Sequence, residues 1–445
     1  MKYRALDVFL GQGKDRRFVG QLFQYGEGST AMTRLLPDKA FWTSADMPVL
    51  SQYALLDTED DRIKFFMEAA QQPFFNGEGE TLPPFFQNML PEGPLRIHLE
   101  GIGELSKGDH FGLLSLCGTD LPGAVYVQPA TYTPESIARV VTQHNDALEM
   151  TVTPMPVPEA TSLSGVQPKL ALVLSGGRYV QRTKDENGIH IIAKLPTVQF
   201  PLLPQVEELS LRLASEAGVT VCEVALAPVS EIHADQPFVL GQETHFLAVK
   251  RFDRAGTQHI HCEDFAQVLN IPPELKYEHP SANYAAIALV LLTTPGLGMP
   301  AVEEMIRRLV VNDLLGNYDG HCKNYGLLYI DSYSPELSPA YDVVAYAAYL
   351  RGKGHGLRFT PDSPKHQRIS PVTVRDLANA VPGLAEPKIT SIVRDTVKKA
   401  YAAWPDMIQA STLLDEQKKR LLTHFDETPA IASLRQRAAK TAAKG

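Results

Sequence analysis

Four side chains spread across the middle of a 445-residue chain have the types that phosphoryl transfer needs. That reaction asks the protein for little covalent chemistry. It needs a carboxylate beside the attacking hydroxyl, oxygen ligands for magnesium, and a cation on the phosphates. In Asp319-Gly-His-Cys-Lys-Asn324 the aspartate and asparagine stand at the D-x-x-x-x-N spacing of a phosphotransfer loop. Asp319 would orient an acceptor hydroxyl or accept its proton, and Asn324 would hold magnesium. Asp342, eighteen residues past Asn324, would bridge metal and phosphates. Lys194 would supply the cation.

Such groups need elements to aim them. "YGLLYID" and "LSPAYD" read as two short strands joined by a Ser/Pro turn, which returns Asp342 towards Asn324. Upstream, "PKLALVL", "RYVQRT" and "IHIIAKLP" read as strands separated by the turns "SGG" and "ENG", and Lys194 ends the third. The helix that follows, "PQVEELSLRLASEAG", has apolar residues at Val206, Leu209, Leu213 and Ala214 and closes at Gly218 in the C′ position. Glu207 or Glu208, early on this helix, would hold Lys194 in an ion pair, and Glu207 is preferred. "CEVALAPVSEI" and "HFLAVKRFDR" read as a hairpin-like pair. The stretch "AVKRFDR", which includes Lys250 and Phe252, would offer backbone groups to an adenine, and Asp253 would meet a ribose. His321 and Lys323, inside the loop, would position it or neutralise phosphate. Taken singly, each residue has a duller explanation as a turn, cap or solvated charge. Their order and spacing point to a nucleotide site.

The rest of the chain sets bounds. The apolar and charged fractions are those of a globular protein, and the length suits two or three domains. A formal charge of −9 argues against a protein that coats nucleic acid by itself, and the basic tail "SLRQRAAKTAAKG" reads as a solvated end. The start has charges at Lys2, Arg4 and Asp7 and no apolar core of signal-peptide length. "YAAIALVLL" (284–292), the longest apolar stretch, is too short to span a bilayer. A cytoplasmic protein with no membrane partner is expected. Four scattered cysteines without a CxxC pair fit a reducing compartment, and "HIHC" (259–262) has no second cluster to complete a zinc site. The chain divides into a small α+β unit at 1–130 and a helix and Pro-rich linker at 131–162, with the helix over 133–150 capped by Thr133. A β-rich nucleotide-binding lobe at 163–250 and a mostly helical catalytic lobe at 251–445 follow. There is no G-x-G-x-x-G before Lys194 and no Walker, D-F-G or A-P-E motif, which excludes P-loop NTPases and ordinary eukaryotic-type kinases.

"TSLSGVQPKLAL", "IIAKLP", "VKRFDR", "EDFAQVL…LKYE", "GNYDGHCKN" and "SPAYDVVA" occur in the order found in HipA-type serine/threonine kinases, the toxins of bacterial toxin–antitoxin modules. "LPPFFQNMLPEGPLR" and "GDHFGLLSLCGTDLPGAVYV" resemble that family's N-terminal subdomain, so the resemblance covers nearly the whole chain. It implies an α+β, two-lobed protein-kinase-like fold, with a β-rich N-terminal lobe carrying an extra small subdomain and a helical C-terminal lobe. It implies ATP and Mg2+ as cofactors, Asp319 as catalytic aspartate, Asn324 and Asp342 on metal, and Lys194 on phosphates. The serine of the family's S-x-x-G-x-Q motif is autophosphorylated; here it is Ser162, with Ser164 as a second candidate. Lys250 stands where an acidic residue is expected in relatives, which leaves backbone groups as the adenine contacts. The implied partners are a helix-turn-helix antitoxin of the HipB type, DNA only through that antitoxin, and a protein substrate such as an aminoacyl-tRNA synthetase. Two other readings fit the same residues: a small-molecule kinase, which would place no phosphate on itself, and a largely non-catalytic co-repressor holding an antitoxin on operator DNA.

Overall fold

The computed structural model describes residues 2–442 except 57, 131–148, 151, 152, 159, 164, 166 and 183–186. The helix expected over 133–150, with its cap at Thr133, falls almost wholly outside the described residues, as does Ser164. Its last two residues are described and are not helical: Glu149–Met150 form a short strand paired in parallel with Lys2 and Tyr3.

The N-terminal unit is built on an antiparallel sheet in the order Asn76–Gly77, Met32–Pro37, Arg17–Tyr25, Lys2–Leu10 and Val125–Pro129. Alternation along Lys2–Leu10 sends Leu6, Val8 and Leu10 into one core. Short helices rich in phenylalanine cover that face. Phe65, Phe74, Phe85 and Phe86 are all buried there, their rings meeting at tilted or edge-on angles.

A second sheet runs in the order Val224–Pro228, His245–Lys250, Ile189–Lys194, Lys169–Ser175, Arg178–Gln181 and Ile232–His233. Register sets Lys194 directly opposite Lys169 on one side and Leu247 on the other. Opposed residues share a face, so both lysines point the same way. The helix Leu203–Glu216 leaves the sheet after Leu202, held at φ +57°, and ends before Gly218 at φ +93°. One stripe of it, including Val206, Leu209 and Leu213, joins a core shared with the helices Gly298–Leu315 and Glu386–Gln409.

Past residue 251 the chain is mainly helical, with short strands among which the sequence reading expects those at "YGLLYID" and "LSPAYD" but not His261–Asp264. His261–Asp264, Gly326–Tyr329 and Glu336–Leu337 form a small antiparallel sheet between the lobes. The second strand expected at "LSPAYD" stops at Leu337, and Asp342 sits beyond it in irregular backbone at φ +52°. None of the described helices is long and apolar enough to cross a membrane.

Candidate active site

Lys194 ends its strand with its side chain only 9% exposed, and two carboxylates converge on it. Its Nζ donates to Glu207 Oε1 at 2.5 Å and to Asp342 Oδ1. The helix phase decides between the two glutamates. Glu207 follows Val206 on the inner stripe and is 1% exposed, whereas Glu208 lies outward and pairs with Arg212 at 2.7 Å. Burial disfavours the Lys194 cation, yet the Asp342 and Glu207 charges more than reverse this and hold its proton firmly. Burial pushes Glu207 up, while Lys194 keeps the Asp342 carboxyl below the usual range.

Sequence reading passed over Lys169, which lies beside this group. It is buried, its Nζ donates to Gly165 O at 2.9 Å, and burial pulls it down to about 8 despite the nearby Asp342 charge. The signal available was its place in "GVQPKLAL", opening the strand that pairs with the Lys194 strand.

The helix Gly298–Leu315 delivers the Asp319 loop. It stops at Gly316 (φ +61°), and Asn317 turns back to bond Asn312 through both backbone and side chain. The loop closes in a 3-10 turn, Cys322–Asn324, where Asn324 Oδ1 accepts the His321 N–H at 2.9 Å. Tyr341, next to Asp342, donates its hydroxyl to Lys323 O at 2.8 Å. That bond ties the strand return to the loop, and Asn324 and Asp342 line one small cavity. Asp319 stands at the exposed end of the loop and receives the Tyr277 hydroxyl. Burial, with Asp342 and Glu92 adding to it, raises the Asp319 carboxyl. Asp342 also lines a cleft of about 140 Å³ between the sheet and the helical lobe, together with Lys194, Lys169 and Phe252. Phe252 leans on the Tyr341 ring there, centroids 5.5 Å apart.

Lys250, Asp253, Lys323 and Ser162 line the same cleft, and each has a partner within the chain. Both oxygens of Asp253, expected to meet a ribose, are engaged by Arg251 (2.9 Å each), Arg254 (2.7 Å) and Gly123 N (3.0 Å) in a buried cluster. The Arg251 and Arg254 charges and these bonds depress its pKa against the opposing effect of burial. Asp120, from the N-terminal unit, completes the cluster by pairing with Arg251 and Arg254. Lys250 lines the cleft and pairs through its Nζ with Glu223 at 2.7 Å. Lys323 is buried and bonds Asn88 O at 2.8 Å and Asp264 at 3.2 Å, which ties the loop to its neighbours. His321 is buried and lowered to about 3, chiefly by desolvation, so it carries no charge for a phosphate at neutral pH. Ser162 is fully buried, its hydroxyl donated to Met89 O, so in this arrangement it is withheld from any phosphoryl donor.

The residues fit a magnesium nucleotide. Magnesium takes few protein ligands and fills its shell with water and phosphate oxygens, so one carboxylate (Asp342) and one amide oxygen (Asn324) on a shared cavity suffice. Among the described residues there is no cluster of three or more His, Cys, Asp or Glu that could form an all-protein metal cage.

Comparisons with known proteins place this architecture. The HipA-like C-terminal domain matches residues 161–404 and the HipA N-terminal domain matches residues 6–128. A provisionally named kinase of Sinorhizobium fredii is 31% identical over 85% of this chain and 90% of its own length. The serine/threonine-protein kinase toxin HipA of Shewanella oneidensis is 27% identical over 61% of this chain and 65% of its own length. A solved structure of the Shewanella oneidensis HipA, HipB and operator DNA complex superposes with a TM-score of 0.62 at 21% identity, covering 97% of this chain and 99% of that one. The α+β, two-lobed kinase-like fold follows, and with both domains matched in order the chain belongs to the HipA family of toxin kinases.

Proposed function

We propose that this protein is an ATP-dependent serine/threonine-protein kinase that uses Mg2+ and acts as the toxin of a two-component module. The observation that carries the reading is Lys194 held between Glu207 and Asp342, with Asn324 sharing Asp342's cavity and Asp319 at the end of the same loop. Lys194 grips phosphate oxygens while Glu207 fixes its ammonium from behind. Asp342 and Asn324 would hold the metal, whose chemistry when bound would be to offset the phosphate charge. Asp319 orients the acceptor hydroxyl and takes its proton. Lys169, on the same face as Lys194, adds a second cation to the cleft floor.

The acceptor in this reading is a serine or threonine of another cytoplasmic protein, with an aminoacyl-tRNA synthetase as one class to try. The chain's own Ser162/Ser164 loop is a second acceptor. Ser162 borders the cleft but bonds Met89 O, so the loop must leave its seat before transfer. A phosphate there brings about −1.5 to −2 charges beside a site built for nucleotide phosphates, which makes the modification self-inactivating. The solved relative was captured with HipB and operator DNA. A HipB-type antitoxin is accordingly the partner to seek, and a net charge of −9 leaves DNA contact to that partner. The test is incorporation of labelled phosphate from Mg·ATP: Asp319→Ala and Asp342→Ala should each reduce it at least about 1,000-fold. Labelling that survives either change removes this site from consideration.

A further inference from the structure

The aspartate at the end of the loop has a resident hydroxyl on it. Tyr277, two residues after the 3-10 helix Pro273–Leu275, donates its phenol hydrogen to Asp319 Oδ1. The Tyr277 ring is fixed on several sides. The His321 imidazole meets it edge-on with centroids 5.1 Å apart, and the Lys276 ammonium lies 5.9 Å from its centroid. Gly356 closes the third side: a Cβ there would come within 3.2 Å of Tyr277 Cε1 and within 2.8 and 2.9 Å of the Gly320 and Tyr318 carbonyl oxygens. Only a residue without a side chain lets Tyr277 and the loop backbone approach so closely. The phenol is thus seated by the loop it serves.

A carboxylate has two oxygens, and its rotamer is free unless one of them is held. We propose that Tyr277 is a positioning residue for phosphoryl transfer, holding Asp319 by one oxygen so that the other is presented to the acceptor hydroxyl. This inference rests on the reading of Asp319 given above. It assigns work to a residue outside the lining of the Lys194 cleft and of the small Asn324–Asp342 cavity.

The ionisation of Asp319 offers a readout that mere packing would not move. The charged and titratable groups facing it are Tyr277, Lys276, Asp342, Glu92 and Tyr346. Burial raises the carboxyl, and the Tyr277 hydrogen bond is the largest influence opposing that rise. Asp319 works ionised, so activity falls as pH drops through its pKa. Without the phenol donor that pKa is higher, and the acid limb moves to higher pH. Burial and the Asp319 charge push the phenol itself far up, so it stays a donor throughout the working range.

The experiment compares initial rates of ADP formation from Mg·ATP, across pH, for the full chain and its Tyr277→Phe and Asp319→Ala forms. Tyr277→Phe should lower kcat roughly 10- to 100-fold, leave KM for Mg·ATP within about twofold, and raise the acid limb by about one pH unit. A second form with 3,5-difluorotyrosine at position 277 keeps the ring and strengthens the donor, so its acid limb should move to lower pH. This arm reports even where Tyr277→Phe loses stability. If Asp319→Ala is inactive while both Tyr277 forms keep the parent pH profile, Tyr277 has no positioning role. If Asp319→Ala retains the parent rate, the assignment of Asp319 falls, and this proposal falls with it.

Discussion

Replacing Lys194 by methionine would remove the cation that bonds both Glu207 and Asp342. Methionine keeps most of the apolar stem, so little cavity forms and the loss is electrostatic. Removing one partner of a buried pair costs about 3–5 kcal/mol, because the survivor is left without compensation. The two survivors differ. Asp342 is 38% exposed and keeps water, whereas Glu207 is 1% exposed and its Oε2 already has no hydrogen-bond partner. The cost therefore falls on Glu207, which has one escape: taking up a proton. Burial raises its pKa and Lys194 opposes the rise, so loss of the lysine raises it further. A carboxyl whose folded pKa exceeds its unfolded value keeps its full stability below the unfolded value and loses stability as pH climbs towards the folded one. The penalty should thus be small near pH 5 and grow by about 1.4 kcal/mol per unit until it levels off, a span of about two to three units for the full cost. The assay is built into the fold. Trp404 Nε1 donates to Leu213 O on the helix that carries Glu207, and Trp42 is the only other tryptophan. In a Trp42→Phe background, urea unfolding followed by Trp404 fluorescence reports on that helix. A second change, Glu207→Gln, should return most of the loss at pH 8. A penalty independent of pH, or one that Glu207→Gln does not relieve, would refute the reasoning.

Two further outcomes are expected. Asp120→Asn leaves the buried guanidiniums of Arg251 and Arg254 with only Asp253 as counter-charge, and should cost about 3 kcal/mol at pH 7 by urea unfolding. Those arginines hold the Asp120 carboxyl far below its ordinary value, so the parent keeps this stability above about pH 4 and loses it as pH falls towards the depressed pKa, while the variant shows no such acid-dependent component. Ser162→Glu puts a charge where a hydroxyl now meets Met89 O in full burial, and should expel the loop. Nucleotide affinity by calorimetry should drop at least about tenfold, with faster protease cleavage in the 160–168 segment; unchanged affinity would mean that the loop does not cover the phosphate site.

How far residues alone could predict this arrangement depended on whether a role was fixed locally. The Asp319 to Asn324 loop and the Lys194 strand follow from spacing and alternation, which are short-range properties, and the structure brings Lys194, Glu207 and Asp342 together. The buried partners of Lys323 and Ser162 were not legible because they lie 235 and 73 residues away in the chain, and Asp253, held by Arg251 and Arg254 beside it, also receives Gly123 N from 130 residues away. Nothing near Asp253 in sequence announces that Gly123 will donate to it. Tyr277 escaped for the same reason, since its acceptor is 42 residues on. The third strand of the small sheet, His261–Asp264, escaped because four residues carry too few alternations to be read.

Those long-range partners share a pattern: most of them belong to the N-terminal unit. Asn88 O takes the Lys323 ammonium, and the next carbonyl along, Met89 O, takes the Ser162 hydroxyl. One peptide segment therefore seats both the Asp319 loop and Ser162. Ser51 and Gln52 N donate at 2.7 Å each to Glu263, a buried carboxyl that desolvation lifts to about 7 and that also receives the Tyr329 hydroxyl. Asp120 holds Thr161 at 2.6 Å and the Arg251 and Arg254 guanidiniums at once. Each of these groups in the kinase lobes is buried, so removing the N-terminal unit would strip partners from Lys323, Arg254 and Glu263 together, at about 1–3 kcal/mol for each neutral bond lost and more for each charge. A module that merely rode on the kinase would meet it through a wet, exchangeable surface. This one seats Lys323 and Ser162 on the adjacent carbonyls of Asn88 and Met89 and pairs its Asp120 carboxylate with Arg251 and Arg254, so a shift of the unit would disturb Lys323 and Ser162 together.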